Sequence, residues 1–227
     1  RGEVGGVGAG DWQYPAIIGL QEAFGTTPQI QRWARRLAAE GYYTAAPVLY
    51  HRNGINPTTP YDAYEEFMKL RLGVPNEAIE TDLGVLMDYL RRSANVDESR
   101  IGIVGFCMGG TLSFMAASRV PGIKAAAIYY GNRILIPETE GGMTLLDEAE
   151  NIKIPLIGFY GALDPNMTSD QLDMVKSKLS NAGVRADIHF YEGAHHGFMR
   201  DDDPEVFNET VARDAWEKML AFFNENL

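Results

Sequence analysis

Apolar and polar positions along the chain switch repeatedly between two periods. Short apolar runs at 15–20 (PAIIGL), 42–49 (YYTAAPVL), 101–106 (IGIVGF), 125–130 (AAAIYY), 156–160 (LIGFY) and 186–191 (ADIHFY) have the length and residue types of strands. Between them, apolar residues recur every three to four positions, as on one face of a helix. Ile30, Trp33, Leu37 and Ala38 make such a face, opened by Thr27 and Pro28 and closed at Gly41. Threonine caps a helix and proline suits its first position. Ile79, Leu83, Leu86, Met87 and Leu90 predict a second helix over 76–92, with Asn76 as its cap. Further helices are predicted over 108–119, over 169–182 with Leu172, Val175 and Leu179 inward, and over 204–224 with Phe207, Val211, Ala215, Met219 and Phe223 inward.

Strands alternating with helices predict an α/β fold, in which a doubly wound, mostly parallel sheet is covered by helices on both faces. Two stretches break the alternation. Residues 50–76 and 132–151 carry prolines and glycines without a period, and read as excursions over one end of the sheet, with a turn or two of helix within 62–70. Residues 1–12 read as a flexible lead-in, because five of the first ten are glycine. The 227 residues fit one domain, 1–227, and the start at Arg1 rather than Met suggests a truncated N-terminus.

Composition narrows the partners more than the fold. A net charge of −11 argues against nucleic acid and against an anionic membrane surface. No apolar run reaches the ~20 residues of a membrane span. The single cysteine, Cys107, fits a reducing, cytoplasmic setting and has no intrachain partner for a disulfide. Histidines at metal-ligand spacing and C-x-x-C pairs are missing, so neither a metal nor an organic cofactor is expected.

Cys107 marks the point where chemistry is expected. Gly105-x-Cys107-x-Gly109 ends the 101–106 strand and opens the 108–119 helix. This is the G-x-S-x-G turn that exposes a nucleophile, with sulfur in place of the serine oxygen. The helix N-terminus behind it favours a thiolate and a developing oxyanion. In open parallel sheets the site lies beyond the carboxyl ends of the strands. Asp164 follows the 156–160 strand there, and His195-His196 follows the 186–191 strand. Nucleophile, acid, histidine is a functional order in which the histidine moves protons and the acid orients it. Asp164-Pro165 is also the composition of a simple turn, and either histidine could serve as the base. Oxyanion donors are expected from the Met108 N–H and from the loop after the first strand, at Ala23.

These residues give the chain a resemblance to the dienelactone hydrolase family (carboxymethylenebutenolidases), cysteine members of the α/β hydrolases, from about residue 15 onward. Gln21-Glu22-x-Phe24-Gly25, Gly105-Phe106-Cys107-Met108-Gly109-Gly110, Tyr129-Tyr130-Gly131 and Tyr191-x-x-Ala194-x-His196-x-Phe198-x-Arg200 carry it. The resemblance implies the α/β-hydrolase fold and selects His196 over His195. It also implies that Glu22 contacts the resting thiol and helps form the thiolate when substrate arrives. Arg200 would hold a substrate carboxylate, and Phe24, Tyr130 and Phe198 would line the substrate site. The family's second substrate-binding arginine has no clean counterpart, although Arg52 and Arg71 lie in the right region.

The expected function is therefore a cysteine hydrolase that opens a lactone or cleaves a small ester through a thioester. Its partner would be a small molecule, including one that bears a carboxylate, and the protein a monomer or weak dimer. The rivals are a broad esterase or thioesterase, and a non-catalytic member of the fold that binds a ligand or senses oxidants through Cys107.

Overall fold

The computed structural model describes residues 3–5, 12–137 and 139–227. Among the described residues seven strands form one sheet: β1 (Glu3–Gly5), β2 (Tyr14–Leu20), β3 (Tyr43–Ala46), β4 (Val96–Phe106), β5 (Ala125–Tyr129), β6 (Leu156–Gly161) and β7 (Ala186–Tyr191). Their order is β1-β3-β2-β4-β5-β6-β7. Only the edge strand β1 is antiparallel, and it pairs with β3. Six helices connect them: α1 (Pro28–Ala39), α2 (Tyr64–Leu72), α3 (Asn76–Arg92), α4 (Met108–Arg119), α5 (Ser169–Asn181) and α6 (Glu209–Asn226).

Side-chain alternation assigns the helices to two faces. Ile18, Ile101 and Ile103 point to one layer, where they meet Ile79, Leu83 and Met87 of α3, Leu112 and Met115 of α4, and Leu172, Val175 and Leu179 of α5. Ile17, Val104 and Phe106 point the other way, to Ile30, Trp33 and Leu37 of α1 and Val211, Ala215, Met219 and Phe223 of α6. Because both faces are covered, the strands read as continuous apolar runs.

The topology sets where the site lies. The chain winds from β2 outward to β3, then crosses back to place β4 on the other side of β2, and continues outward through β7. The winding reverses between β2 and β4, whose ends pair at Leu20 and Gly105. A crevice at the carboxyl ends of two such strands is the usual ligand site of an open α/β sheet.

Several local expectations differ from the structure. Residues 3–5 form β1 along β3 although they lack strand periodicity, and the rest of the lead-in up to residue 11 lies outside the described residues. Asn76 is the first residue of α3 rather than its cap, and its side-chain oxygen accepts from Arg71 at 2.6 Å. Thr27 precedes α1 as expected but makes no side-chain capping bond. α6 starts at Glu209, not near Pro204. Asn208 caps it by accepting from the Val211 N–H, while Phe207 N–H is tied back to the Asp203 carbonyl. The 50–76 excursion contains α2, which buries none of its residues, and 132–151 contains two short 3₁₀ turns.

Candidate active site

The turn after β4 is built by two glycines. A side chain at Gly105 would meet the Gly109 carbonyl oxygen at 2.0 Å, and one at Gly109 would meet the Leu20 and Gln21 carbonyls at 2.5 and 2.6 Å. Only bare backbone lets α4 approach β2 this closely. Cys107 between them has φ 55° and ψ −114°, a left-handed region that a residue with a Cβ rarely adopts. The half-buried thiol thus stands at the N-terminus of α4, above the crevice.

Asp164 and His196 reach the same place from the ends of β6 and β7. His196 Nδ1–H donates to Asp164 Oδ2 at 2.6 Å. The other carboxylate oxygen accepts from the Asn166 N–H and side-chain amide, both at 2.9 Å. Burial opposes ionisation of Asp164, but these donors and the neighbouring imidazolium outweigh it and hold its pKa below the ordinary value. The Cys107 sulfur lies close enough to the imidazole to act on its charge. Burial works against the imidazolium. Negative charge on Cys107 and the Asp164 hydrogen bond overcome it and push His196 up to about 10. His195, by contrast, is exposed, His51 caps the Val48 carbonyl at 3.1 Å, and His189 stacks on Phe159.

Glu22 is buried in the turn after β2. Its carboxylate accepts from Arg200 Nε at 2.8 Å and from the Tyr130 hydroxyl at 3.3 Å. Arg200 is itself 7% exposed, with Asp203 at 3.6 Å from Nη1. Its guanidinium lies against the edge-packed rings of Phe24 and Tyr61, at 4.9 and 4.7 Å. Tyr130 has φ 40°, and its ring packs edge-on against His196 at 4.9 Å. It therefore links the carboxylate of Glu22 to the histidine. Phe198 is fully buried behind Tyr130, with ring centroids 5.2 Å apart, so it supports the wall of the site from the core. Arg52 is held by Asp82 at 2.5 and 2.8 Å, and Arg71 donates to the Val74 carbonyl and Asn76.

Ala23 and Met108, the expected amide donors, sit on either side of the crevice, and the Tyr50 hydroxyl reaches both residues. It donates to the Ala23 carbonyl at 2.9 Å and lies 3.3 Å from Met108 Sδ. Sequence reading missed Tyr50 and Tyr61, which lie in or at the start of the irregular 50–76 stretch. Tyr50 was within reach of the strand-end rule, since it closely follows β3. Two open grooves flank β7 at the sheet edge, and neither is lined by Cys107, Asp164 or His196. Among the described residues no helix is long and apolar enough to cross a membrane.

Sheet order, strand-end chemistry and the turn at Cys107 define an α/β-hydrolase fold. The model of the dienelactone hydrolase family matches residues 5–227, and the chain belongs to that family. A relative from Salmonella typhimurium, "Putative carboxymethylenebutenolidase", is 32% identical over 215 residues, covering 95% of this chain and 78% of its own. One of the same name from Synechocystis is 32% identical over 220 residues, covering 95% and 87%. The crystal structure of a Klebsiella pneumoniae protein, "Putative Dienelactone Hydrolase", superposes with a TM-score of 0.88 at 32% identity, covering 96% of this chain and 90% of that one. The chain is a hydrolase of the dienelactone hydrolase type, acting on small-molecule esters or lactones.

Proposed function

We propose that the protein cleaves its ester or lactone with Cys107 as nucleophile, through a thioester acyl-enzyme. The observation that carries this reading is the Asp164–His196 hydrogen bond at 2.6 Å, at the same sheet edge as a cysteine held at φ 55°. The Cys107 sulfur forms a bond to the carbonyl carbon, and the thiol proton is held by His196. The carbonyl π pair moves onto oxygen, where the Met108 and Ala23 amides stabilise it. The C–O bond then breaks, and the leaving oxygen takes the proton from His196. Water attacks the thioester, gives its proton to His196, and the C–S bond breaks to release the acid and restore the thiol. A thiolate leaves as easily as it attacks, so the first intermediate goes forward best when the leaving group is a stabilised anion such as the enolate of an unsaturated lactone.

Arg200 and Glu22 fit a substrate that carries a carboxylate. The guanidinium is already paired, so a substrate anion must compete with Glu22 for it. A carboxylate released from Arg200 within a dry site is a stronger base and, for such a substrate, can take the thiol proton in place of His196 and return it to the leaving oxygen when the C–O bond breaks.

The test is hydrolysis of p-nitrophenyl acetate and of a dienelactone by the native protein and by Cys107→Ala. The expected loss is at least about thousandfold for both substrates. Activity retained in Cys107→Ala would overturn the mechanism, and a native protein inert to every ester would favour a binding or oxidant-sensing role.

A further inference from the structure

We infer that Tyr50 is a positioning residue of the oxyanion hole, holding the turn that carries the Ala23 amide in register with Met108. The inference rests on the proposed cysteine mechanism and deepens it. Tyr50 is fully buried, and a buried phenol must place its O–H on an acceptor. Its single hydrogen goes to the Ala23 carbonyl at 2.9 Å, because a carbonyl oxygen is a better acceptor than a thioether. The phenol oxygen meanwhile rests against Met108 Sδ at 3.3 Å. One atom thus touches the two residues whose amides must converge on the same oxyanion.

The surroundings indicate why such a strut is needed. Ala23 is not in a regular element. Within its turn the Gly25 N–H donates to the Glu22 carbonyl at 3.3 Å and the Thr59 N–H to the Phe24 carbonyl at 3.0 Å, while the Ala23 carbonyl itself is held by Tyr50 at 2.9 Å. The segment after β3 acts as its template. The Leu49 N–H donates to Gln21 Oε1 at 3.1 Å, which also accepts from Thr26 at 3.1 Å, and Tyr50 secures the far side of the same turn. Met108 is fixed separately by the turn at Cys107 and the start of α4. Tyr50 thus adds a direct tie between the two turns, beyond the pairing of Leu20 with Gly105 and the packing of Gly109 on Leu20 and Gln21. Burial, reinforced by negative charge on Cys107 and opposed by Arg71, raises the phenol's pKa, so the hydroxyl remains a donor across the working range. A misplacement of about 1 Å in such a site costs on the order of a hundredfold in rate.

Tyr50→Phe removes the hydroxyl and keeps the ring. The first-turnover release of p-nitrophenolate from p-nitrophenyl acetate should slow by about ten- to hundredfold with KM within twofold of native. Alkylation of Cys107 by iodoacetamide forms no oxyanion, and its rate should stay within twofold. A first-turnover rate within twofold of native would overturn the inference, as would an equal loss in alkylation, which would mean general damage to the site. Met108→Leu keeps the amide and the bulk but removes the sulfur, and carries the test should Tyr50→Phe fail to fold. A two- to fivefold slower first turnover with alkylation unchanged supports the strut, and an unchanged rate overturns it. Cys107→Ala run alongside separates the two ideas: full activity there refutes the cysteine mechanism itself, whereas loss there with a fully active Tyr50→Phe refutes only the strut.

Discussion

In the proposed mechanism the proton relay turns on His196, whose charge state is set by its two neighbours. With Asp164 on one nitrogen and the Cys107 sulfur on the other side, its pKa rises to about 10 despite burial. A histidine raised above its unfolded value of ~6.5 stabilises the fold in full below that value, and the contribution is lost as pH climbs through about 10. The native protein should therefore lose stability progressively from about pH 6.5 to pH 10 through this group. Charge on sulfur is the largest influence raising His196, so Cys107→Ala should flatten most of that slope. Urea midpoints measured at intervals across the window, for both proteins, check this. Equal slopes would show that the sulfur does not hold the imidazolium. Asp164 works in the opposite sense. Its lowered pKa gives stability that is present at neutral pH and disappears only as acid titrates the folded carboxyl below its ordinary value.

At the scale of elements, the decisive contact is the approach of α4 to the end of β2. Gly109→Ala would drive a methyl into the Leu20 and Gln21 carbonyls at 2.5 and 2.6 Å, and backbone on a central strand cannot yield cheaply. A loss of about 1–3 kcal/mol is expected, with first-turnover activity falling further than stability accounts for, because α4 carries Met108. Gly84 in α3 is the internal control. It is exposed, with nothing within 4 Å of an added Cβ, so Gly84→Ala should stabilise by about 0.5–1 kcal/mol without touching activity. Thermal midpoints and the p-nitrophenolate burst measure both. The same packing explains what the chain's pattern revealed. Strands buried on two faces are uninterrupted apolar runs, so β2 and β4 to β7 were legible, and so were Cys107, Asp164 and His196 just beyond three of them. β1 was not, because three residues held by pairing to β3 carry no period of their own. The start of α6 was misread because the 204–207 segment looks helical in composition, while the Asp203 carbonyl and the Asn208 cap place the boundary later. Tyr61 and α2 were obscure for a related reason. α2 buries none of its residues, so tertiary contacts such as Tyr61 with Asp202, Phe24 and Arg200 order that excursion in place of an apolar stripe.

For the molecule as a whole, the local cation and the global charge pull in opposite directions. Net charge is −11, and the segment bearing Arg200 continues through Asp201, Asp202 and Asp203. Arg32 neutralises part of this rim by pairing with Asp201 at 2.5 Å and Asp202 at 2.9 Å. Within the site, Glu22 and Asp203 already surround the Arg200 guanidinium. An anionic substrate would thus meet a repulsive long-range field before it reached Arg200, its proposed partner. Exposed charges are screened over about 10 Å at 0.1 M salt, whereas the buried Glu22–Arg200 pair is screened far less. Added salt should therefore weaken the repulsion more than the final contact. For a carboxylate-bearing lactone or ester, kcat/KM is expected to rise severalfold between about 10 mM and 300 mM sodium chloride, with the gain in KM. For neutral p-nitrophenyl acetate it should stay flat over the same range. A fall with salt for the anionic substrate would mean that attraction to Arg200 governs the encounter, and equal responses of the two substrates would remove charge from the account of selectivity. Arg32→Gln uncovers two carboxylates at the rim without entering the site, and should steepen the salt response of the anionic substrate while leaving the neutral ester unchanged.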